Sequence, residues 1–222
     1  MSGSFNIVDI YFETSYDAYY LLKGKTMFKM IGFMMTGLIA TSAFAADIKL
    51  PTPDKTNKTT LIEALENRHS DREFSDKVVD NQTLSTILWA AYGVNRADGK
   101  RTIPTALDKK DLNIYVFNKD GIWLYDAPTN TLKQQSEENY LNLFQKQDYM
   151  NSVSTVLVYT GSMEDYAVMH AGSAYQNVEL YVSANNMASI VRGYFDHEKI
   201  QEALKLPVDQ RVIISQAIGW KE

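Results

Sequence analysis

The sequence predicts an α+β fold in which helices flank a small, mostly antiparallel sheet. Two β-rich runs, 112–117 and 121–125, are joined by Asn118-Lys119-Asp120-Gly121, a sequence typical of a tight hairpin. Segments with apolar residues at helical spacing precede and follow this hairpin. The 222-residue chain is 45% hydrophobic and has no cysteine, so its stability has to come from an ordinary hydrophobic core rather than from disulfides.

Two helices are predicted ahead of the hairpin. Thr60 and Glu63 have the spacing of a capping box, and Leu61, Ile62 and Leu65 supply one apolar face for a helix that runs to about residue 67. A second helix is predicted over 82–92, where apolar residues recur at helical spacing until Gly93. A long polar loop then leads to the hairpin.

The elements after the hairpin alternate between helical and β-like patterns. Periodicity and composition predict, in order, a polar helix over 136–147, a buried strand over 153–159, a long helix over 164–187, a short strand over 189–191, a helix over 197–206 and a last strand over 211–218. This arrangement favours a single domain spanning residues 60–222, preceded by a polar lead-in over 46–59.

The N-terminal region has the pattern of an export signal. Lys29 precedes an apolar run over 30–40, and Ala43-Phe44-Ala45 forms a cleavage site, which predicts a signal peptide over 27–45 that is cleaved near Ala45/Ala46. The alternative is a buried core helix. Because the apolar run is short for a bilayer, no stable membrane anchor is expected, and the mature protein is predicted to be periplasmic or secreted. Residues 1–26 are interpreted as a non-native or unstructured extension, with a genuine tail as the alternative.

Charge and residue usage exclude several classes of function. With 22 Lys and Arg against 27 Asp and Glu, the net charge of −5 gives no general attraction for nucleic acid or anionic membranes. An anion site therefore requires a local concentration of basic residues. The absence of cysteine and the presence of only three dispersed histidines argue against thiolate catalysis and against a metal site.

One such concentration occurs at residues 66–74, which read ENRHSDREF. Arg68 and Arg72 are four residues apart, and His69 and Ser70 lie between them. Guanidinium and hydroxyl donors held close together suit a phosphate or another anion. The alternative is that basic residues near a helix C-terminus oppose the macrodipole and face water.

Several motifs in order resemble those of a known family. The segment from Arg68 to Phe74 resembles the R-x-S-x-[RK]-x-F opening motif of the nitroreductase-like FMN oxidoreductases. The segments LWAAYGVNR (88–96), TIPTA (102–106), AGSAYQN (171–177) and VRGYFD (191–196) are similar to later motifs of that family. The loop before Pro104 most resembles the branch that includes the thiazole/oxazole dehydrogenases.

The resemblance implies a homodimer with FMN bound at the subunit interface. It places Arg68 and Arg72 at the ribityl-phosphate and pyrimidine regions, with Arg72 near N1 and O2, and it directs the Gly193 backbone N–H at flavin N5. The partner subunit would contribute the segment from Pro104 to Ala106. The residues implied to bind the cofactor are Arg68, His69, Ser70, Arg72, Pro104, Thr105, Ala106, Arg192 and Gly193.

The implied activity is transfer of hydride or electrons through flavin N5 to or from a small organic substrate such as a nitroaromatic or a quinone. No catalytic side chain is implied. The electron donor stays open among a quinol, a redox partner protein and NAD(P)H. The chain departs from the family pattern at residues 107–111 and ends with Lys221 as its only late basic residue. These departures keep a catalytically silent flavin- or ligand-binding protein as the alternative.

Overall fold

A computed structural model describes residues 46–222, which form an antiparallel sheet of seven strands together with four α-helices. The strands are β1 (Ile48–Lys49), β2 (Asn113–Asn118), β3 (Gly121–Asp126), β4 (Thr131–Ser136), β5 (Thr155–Ser162), β6 (Met187–Arg192) and β7 (Gln210–Trp220). The helices are α1 (Leu61–Asn67), α2 (Asn81–Tyr92), α3 (Asp165–Ala184) and α4 (His197–Leu204). The strand order is β1-β4-β3-β2-β5-β7-β6, and every neighbouring pair is antiparallel. The predicted α+β class is confirmed.

Both faces of the sheet are buried, because alternate residues of the central strands join different hydrophobic clusters. In β5, Leu157 and Tyr159 belong to one cluster, and Val156 and Val158 belong to the other. The first cluster includes the buried residues of α2 and α3, and the second includes those of α4. Successive side chains of a strand point to opposite faces, so helices cover the sheet on both sides.

The first two predicted helices are confirmed, but the apolar face of α1 is not in the core. The Thr60 N–H donates to Glu63 Oε2 at 2.8 Å, and the Glu63 N–H donates back to Thr60 Oγ1 at 3.2 Å, which completes the capping box. Within α1 only Ala64 is buried, whereas Leu61 and Ile62 are 62% and 63% exposed. This helix therefore presents apolar side chains to its surroundings.

The predicted helix over 136–147 is wrong. Residues 131–136 form β4, and two short 3-10 helices follow, Leu141–Phe144 and Asp148–Ser152. The Asn139 side chain accepts the Leu141 N–H at 2.9 Å, and Phe144 is fully buried. Only Ser136 of the predicted helix lies in β4, and the burial of Phe144 holds part of the remainder as a short 3-10 helix, so tertiary packing overrides the local propensity.

The later predicted elements are confirmed with shifted ends. Helix α3 stops at Ala184, and Asn186 adopts a left-handed φ of 52° just before β6 begins at Met187. The predicted lead-in over 46–59 contributes β1, and Leu50 is buried in the first cluster. The predicted signal peptide and the extension over 1–26 lie outside the described residues. Within residues 46–222, no helix is long and apolar enough to cross a membrane.

Candidate functional site

The ENRHSDREF segment runs beside β6, at the edge of the sheet. The Asp71 N–H donates to the Ser189 carbonyl at 2.9 Å, and the Ser75 N–H donates to the Trp220 carbonyl at 3.0 Å. Phe74 is buried in the second hydrophobic cluster. The backbone of the segment is therefore fixed to β6 in its second half and to β7 just beyond Phe74, so that its polar side chains are held on an ordered support.

Two of the predicted ligand-binding side chains are unengaged. Ser70 and Arg72 are exposed, and neither makes a hydrogen bond or an ion pair with any residue in 46–222. His69 is exposed but held locally, since Nδ1 lies 2.7 Å from the Asn67 carbonyl and Nε2 lies 2.9 Å from Asp71 Oδ1. A serine hydroxyl and a guanidinium without partners are suited to bind an anion.

Arg68 forms the outer end of a buried polar network. Its Nη1 lies 3.5 Å from Glu179 Oε2, and its side chain is 38% exposed. The buried Glu179 also accepts from Ser189 Oγ at 2.8 Å and from Gln216 Nε2 at 3.0 Å. Gln216 in turn accepts from the Tyr159 hydroxyl at 2.6 Å, and burial raises the pKa of Tyr159 well above its ordinary value. The contact with Glu179 thus orients the Arg68 guanidinium, which is still accessible to a ligand.

The segment from Pro104 to Ala106 is anchored to α3 through a histidine. The Ala106 N–H donates to His170 Nε2 at 2.8 Å, which leaves the proton of the neutral ring on Nδ1, and Nδ1 donates to Asp111 Oδ1 at 2.7 Å. Ser162 Oγ donates to Asp111 Oδ2 at 2.9 Å. Burial raises the pKa of Asp111, but the hydrogen bonds from His170 and Ser162 outweigh it and leave that pKa below its ordinary value. His170 is therefore buried with both ring nitrogens hydrogen-bonded.

Arg192 is placed differently from the implied ligand role of its side chain. Its guanidinium is buried and donates to the Phe144 carbonyl at 3.1 Å and to Gln147 Oε1 and the Tyr194 carbonyl at 2.9 Å each. The next residue, Gly193, is exposed, and a Cβ added there would have Ile214 Cδ1, 3.8 Å away, as its nearest neighbour. The side chain of Arg192 therefore braces the fold, and the backbone at Gly193 stays open to a ligand.

The described chain brings together some of the predicted residues and separates others. The four side chains of the ENRHSDREF segment lie beside β6, which ends immediately before Gly193. The segment from Pro104 to Ala106 contacts α3 at His170, whereas Arg68 contacts α3 at Glu179. His170 and Glu179 are nine residues apart on α3, which corresponds to about 13 Å of helix rise. The two groups therefore attach to different parts of α3.

Two structural carboxylates were not identified from the sequence. Asp111 ends a polar run over 107–111 that only marks a departure from the family pattern. Glu179 occupies an apolar face of α3, between the buried residues Val178 and Val182. A carboxylate on such a face is a signal for a buried polar network, since charged side chains are rarely buried unless they are paired.

Comparisons with known proteins agree with the order of motifs. The model of the nitroreductase family matches residues 65–220. A protein of Methanocaldococcus jannaschii that is provisionally named a nitroreductase is 26% identical over 181 residues, which cover 72% of this chain and 90% of the relative. The crystal structure of a provisionally named nitroreductase from Ralstonia eutropha is 29% identical and has a TM-score of 0.72, with 79% of this chain and 90% of that chain covered.

A further solved structure contains a cofactor. It is a provisionally named nitroreductase from Desulfovibrio desulfuricans in complex with FMN, with a TM-score of 0.55 and 16% identity, and the match covers 74% of this chain and 87% of that chain. At this identity the likeness demonstrates the common fold.

Proposed function

Because this chain belongs to the nitroreductase family, we propose that it is an FMN-dependent oxidoreductase acting on a small organic substrate such as a nitroaromatic or a quinone. The observation that carries the proposal is the set of anion-binding side chains beside β6, where Ser70 and Arg72 are exposed and unengaged and Arg68 is oriented by Glu179. The FMN complex of the Desulfovibrio protein supports this choice of cofactor.

The residues present fit this cofactor at most positions. FMN would supply the redox chemistry by exchanging hydride or electrons at N5. Arg68, Ser70 and Arg72 would hold its anionic and polar groups, and a positive charge from Arg72 would stabilise an anionic reduced ring. The open backbone at Gly193 permits close approach of a planar ring. The side chain of Arg192 would support the neighbouring Gly193 rather than contact the cofactor, since Nη1 and Nη2 of its guanidinium are engaged within the fold.

A homodimer would bring the Pro104–Ala106 segment of one subunit next to the ENRHSDREF segment of the other. Within one chain the Pro104–Ala106 segment and Arg68 attach to different parts of α3, and a partner subunit would supply the first group to the cofactor held by the second. The exposed apolar residues of α1 are available for burial between subunits. Sedimentation analysis tests this arrangement, and a monomer that retains stoichiometric FMN would contradict it.

The export signal predicted over 27–45 supports a periplasmic or secreted enzyme that acquires its cofactor after transport. Free nicotinamide nucleotides are not expected in that compartment, so we propose a quinol or a redox partner protein as the physiological donor rather than NAD(P)H. A fusion of residues 27–60 to a reporter active only outside the cytoplasm tests location. Retention of the fusion in the cytoplasm would restore NAD(P)H as the donor.

The cofactor site is tested by Arg68→Ala. Loss of a charge-assisted contact should weaken FMN binding by about 1.5–3 kcal/mol, measured by quenching of FMN fluorescence. Lys58→Ala, an exposed substitution outside the site, is the matched control and should leave the affinity unchanged. Equal FMN affinities for the unmodified protein, Arg68→Ala and Lys58→Ala would indicate that the basic residues of the ENRHSDREF segment simply face water.

A catalytically silent flavin-binding protein remains the second candidate, and one observation favours it. Leu107, Asp108 and Lys110 have left-handed φ values of 54°, 55° and 47°, in the loop where the chain departs from the family pattern. Such conformations are unfavourable for residues other than glycine and alter the approach of this loop to a ligand. Turnover of a nitroaromatic or a quinone after reduction of the bound flavin separates the two candidates.

A further inference from the structure

A cavity lined by basic residues lies on the loop between α2 and β2, outside the ENRHSDREF segment. Its volume is about 300 Å³, and the side chains of Arg96, Lys100 and Arg101 line it together with Pro104 and Thr105. Small-molecule sites begin at about this size, so the cavity can accommodate a compound with a single ring.

The loop that carries these cations is ordered by its own backbone. Val94 and Arg101 form an antiparallel bridge, and the Asn95 N–H donates to the Lys100 carbonyl at 3.1 Å. Gly99 closes the turn with a left-handed φ of 78°, which glycine adopts without strain. The three basic side chains therefore extend from a short hairpin rather than from an irregular loop.

Arg101 makes no direct ion pair with a carboxylate in residues 46–222, and its charge reaches the carboxyls of Asp108 and Asp126 only at longer range. Its Nε is buried and makes no hydrogen bond there, and its Nη1 has only a long contact of 3.4 Å to the Gly99 carbonyl. The guanidinium carbon lies 5.1 Å from the centre of the Tyr92 ring, a cation–π arrangement that holds the group in place. A half-buried guanidinium with unused donors favours an anion as its additional partner.

The remaining charges leave the cavity positive. Arg96 Nε and Lys100 Nζ share the exposed Asp98, at 3.7 and 3.6 Å. Asp108, which also lines the cavity, pairs with Lys110 at 2.8 Å. Asp126, which interacts with Arg101, pairs with Lys133 at 3.1 Å. The three lining cations, Lys110 and Lys133 therefore face three carboxylates, which gives a local charge of +2 in a chain whose net charge is −5. Such a local excess of one sign attracts small ions of the other sign.

We propose that this cavity binds the anionic group of a small acidic substrate, such as an aromatic carboxylate; the inference rests on the proposed oxidoreductase function. Pro104 and Thr105 form part of the wall, and the same residues would approach the flavin of the partner subunit. An acid held by the cations would therefore lie next to the redox centre. The enzyme would prefer acidic substrates to neutral ones of the same shape.

The test compares 4-nitrobenzoate with its neutral isostere 4-nitrobenzamide. The chemically reduced FMN-bound protein is mixed with each compound, and reoxidation of the flavin is followed without the need for a biological donor. In the double variant Arg96→Gln/Lys100→Gln, the rate constant for 4-nitrobenzoate should fall about tenfold, because contacts to a charged group are lost, while that for 4-nitrobenzamide should not change. The matched control Lys58→Gln/Lys119→Gln should change neither. An equal effect of the double substitution on the rate constants of the two compounds would overturn the proposal.

A second arm distinguishes the phosphate of FMN from the substrate as the source of the anion. The affinities of the double variant for FMN and for riboflavin should both match those of the unmodified protein. A loss confined to FMN, with the reaction of 4-nitrobenzoate unchanged, would assign the cavity to the cofactor and overturn the substrate assignment.

Equilibrium dialysis keeps the cavity testable if the proposed function fails. Should the protein reduce neither compound, preferential retention of 4-nitrobenzoate that the double variant loses would still support an anion site at the cavity. Equal retention of both compounds would overturn it. Failure of turnover and failure of binding are thereby separate results.

Discussion

His170 makes one hydrogen bond to Ala106 and one to Asp111, and each can be removed by a substitution that preserves the other. An asparagine amide can replace Nδ1 of a histidine, and a glutamine amide can replace Nε2. His170→Asn should therefore keep the hydrogen bond to Asp111 and leave the Ala106 N–H without an acceptor. His170→Gln should keep the acceptor for Ala106 and leave Asp111 with Ser162 alone.

The two variants should cost similar stability for different reasons. An unsatisfied buried N–H costs about 1–3 kcal/mol, and a lost hydrogen bond to a charged group costs about 1.5–3 kcal/mol. We expect each variant to lower the free energy of unfolding by about 2 kcal/mol in urea titrations at pH 7. Only His170→Asn frees the Pro104–Ala106 segment, so only that variant should also weaken FMN binding.

The stabilities of the two variants should also differ in their dependence on pH. The folded-state pKa of Asp111 is depressed, so its contribution to stability is present above the unfolded value of about 3.9 and is lost as pH falls through the folded pKa. His170→Asn retains this contribution and should lose more stability between about pH 5 and pH 3 than His170→Gln. Neither variant has the imidazole, so its own titration cancels in the comparison.

Identical acid profiles for the two variants, with identical FMN affinities, would refute the assignment of the two hydrogen bonds. The exposed Lys58→Gln is the control, because surface substitutions usually change stability by less than about 0.5 kcal/mol.

Three further substitutions test other parts of the structure. Gly193→Ala should leave thermal stability unchanged, because the added methyl group comes no closer than 3.8 Å to Ile214, and it should weaken FMN binding by blocking the open backbone; unchanged FMN affinity would remove Gly193 from the site. Glu179→Ala should lower the free energy of unfolding by about 2–4 kcal/mol in urea titrations, since the buried Ser189 hydroxyl and Gln216 amide lose their acceptor; a cost below about 1 kcal/mol would show that the network adds little. Leu61→Glu/Ile62→Glu should dissociate a dimer in sedimentation experiments without unfolding the chain, because both side chains are exposed, and an intact dimer would place the interface elsewhere.

Features that depend on neighbouring residues could be predicted from the sequence. The capping box of Thr60 and Glu63 fixes the start of α1, and the hairpin between β2 and β3 turns where Asn118 to Gly121 predict it. The periodicity of α2 likewise predicted its end at Gly93. Each of these is decided within a few residues, where propensity and hydrogen bonding are readable from the local sequence. The order of the motifs along the chain also indicated the family.

Which side chains are available to a ligand depends on long-range packing, and this could not be predicted from local patterns. The contact between Ala106 and His170 spans 64 residues, and that between Asp111 and His170 spans 59. The burial of Arg192 depends on carbonyl and amide acceptors brought from a different part of the chain. No local pattern encodes such pairings, because the free energy of a buried polar group depends on partners that only the packed chain brings within hydrogen-bond distance.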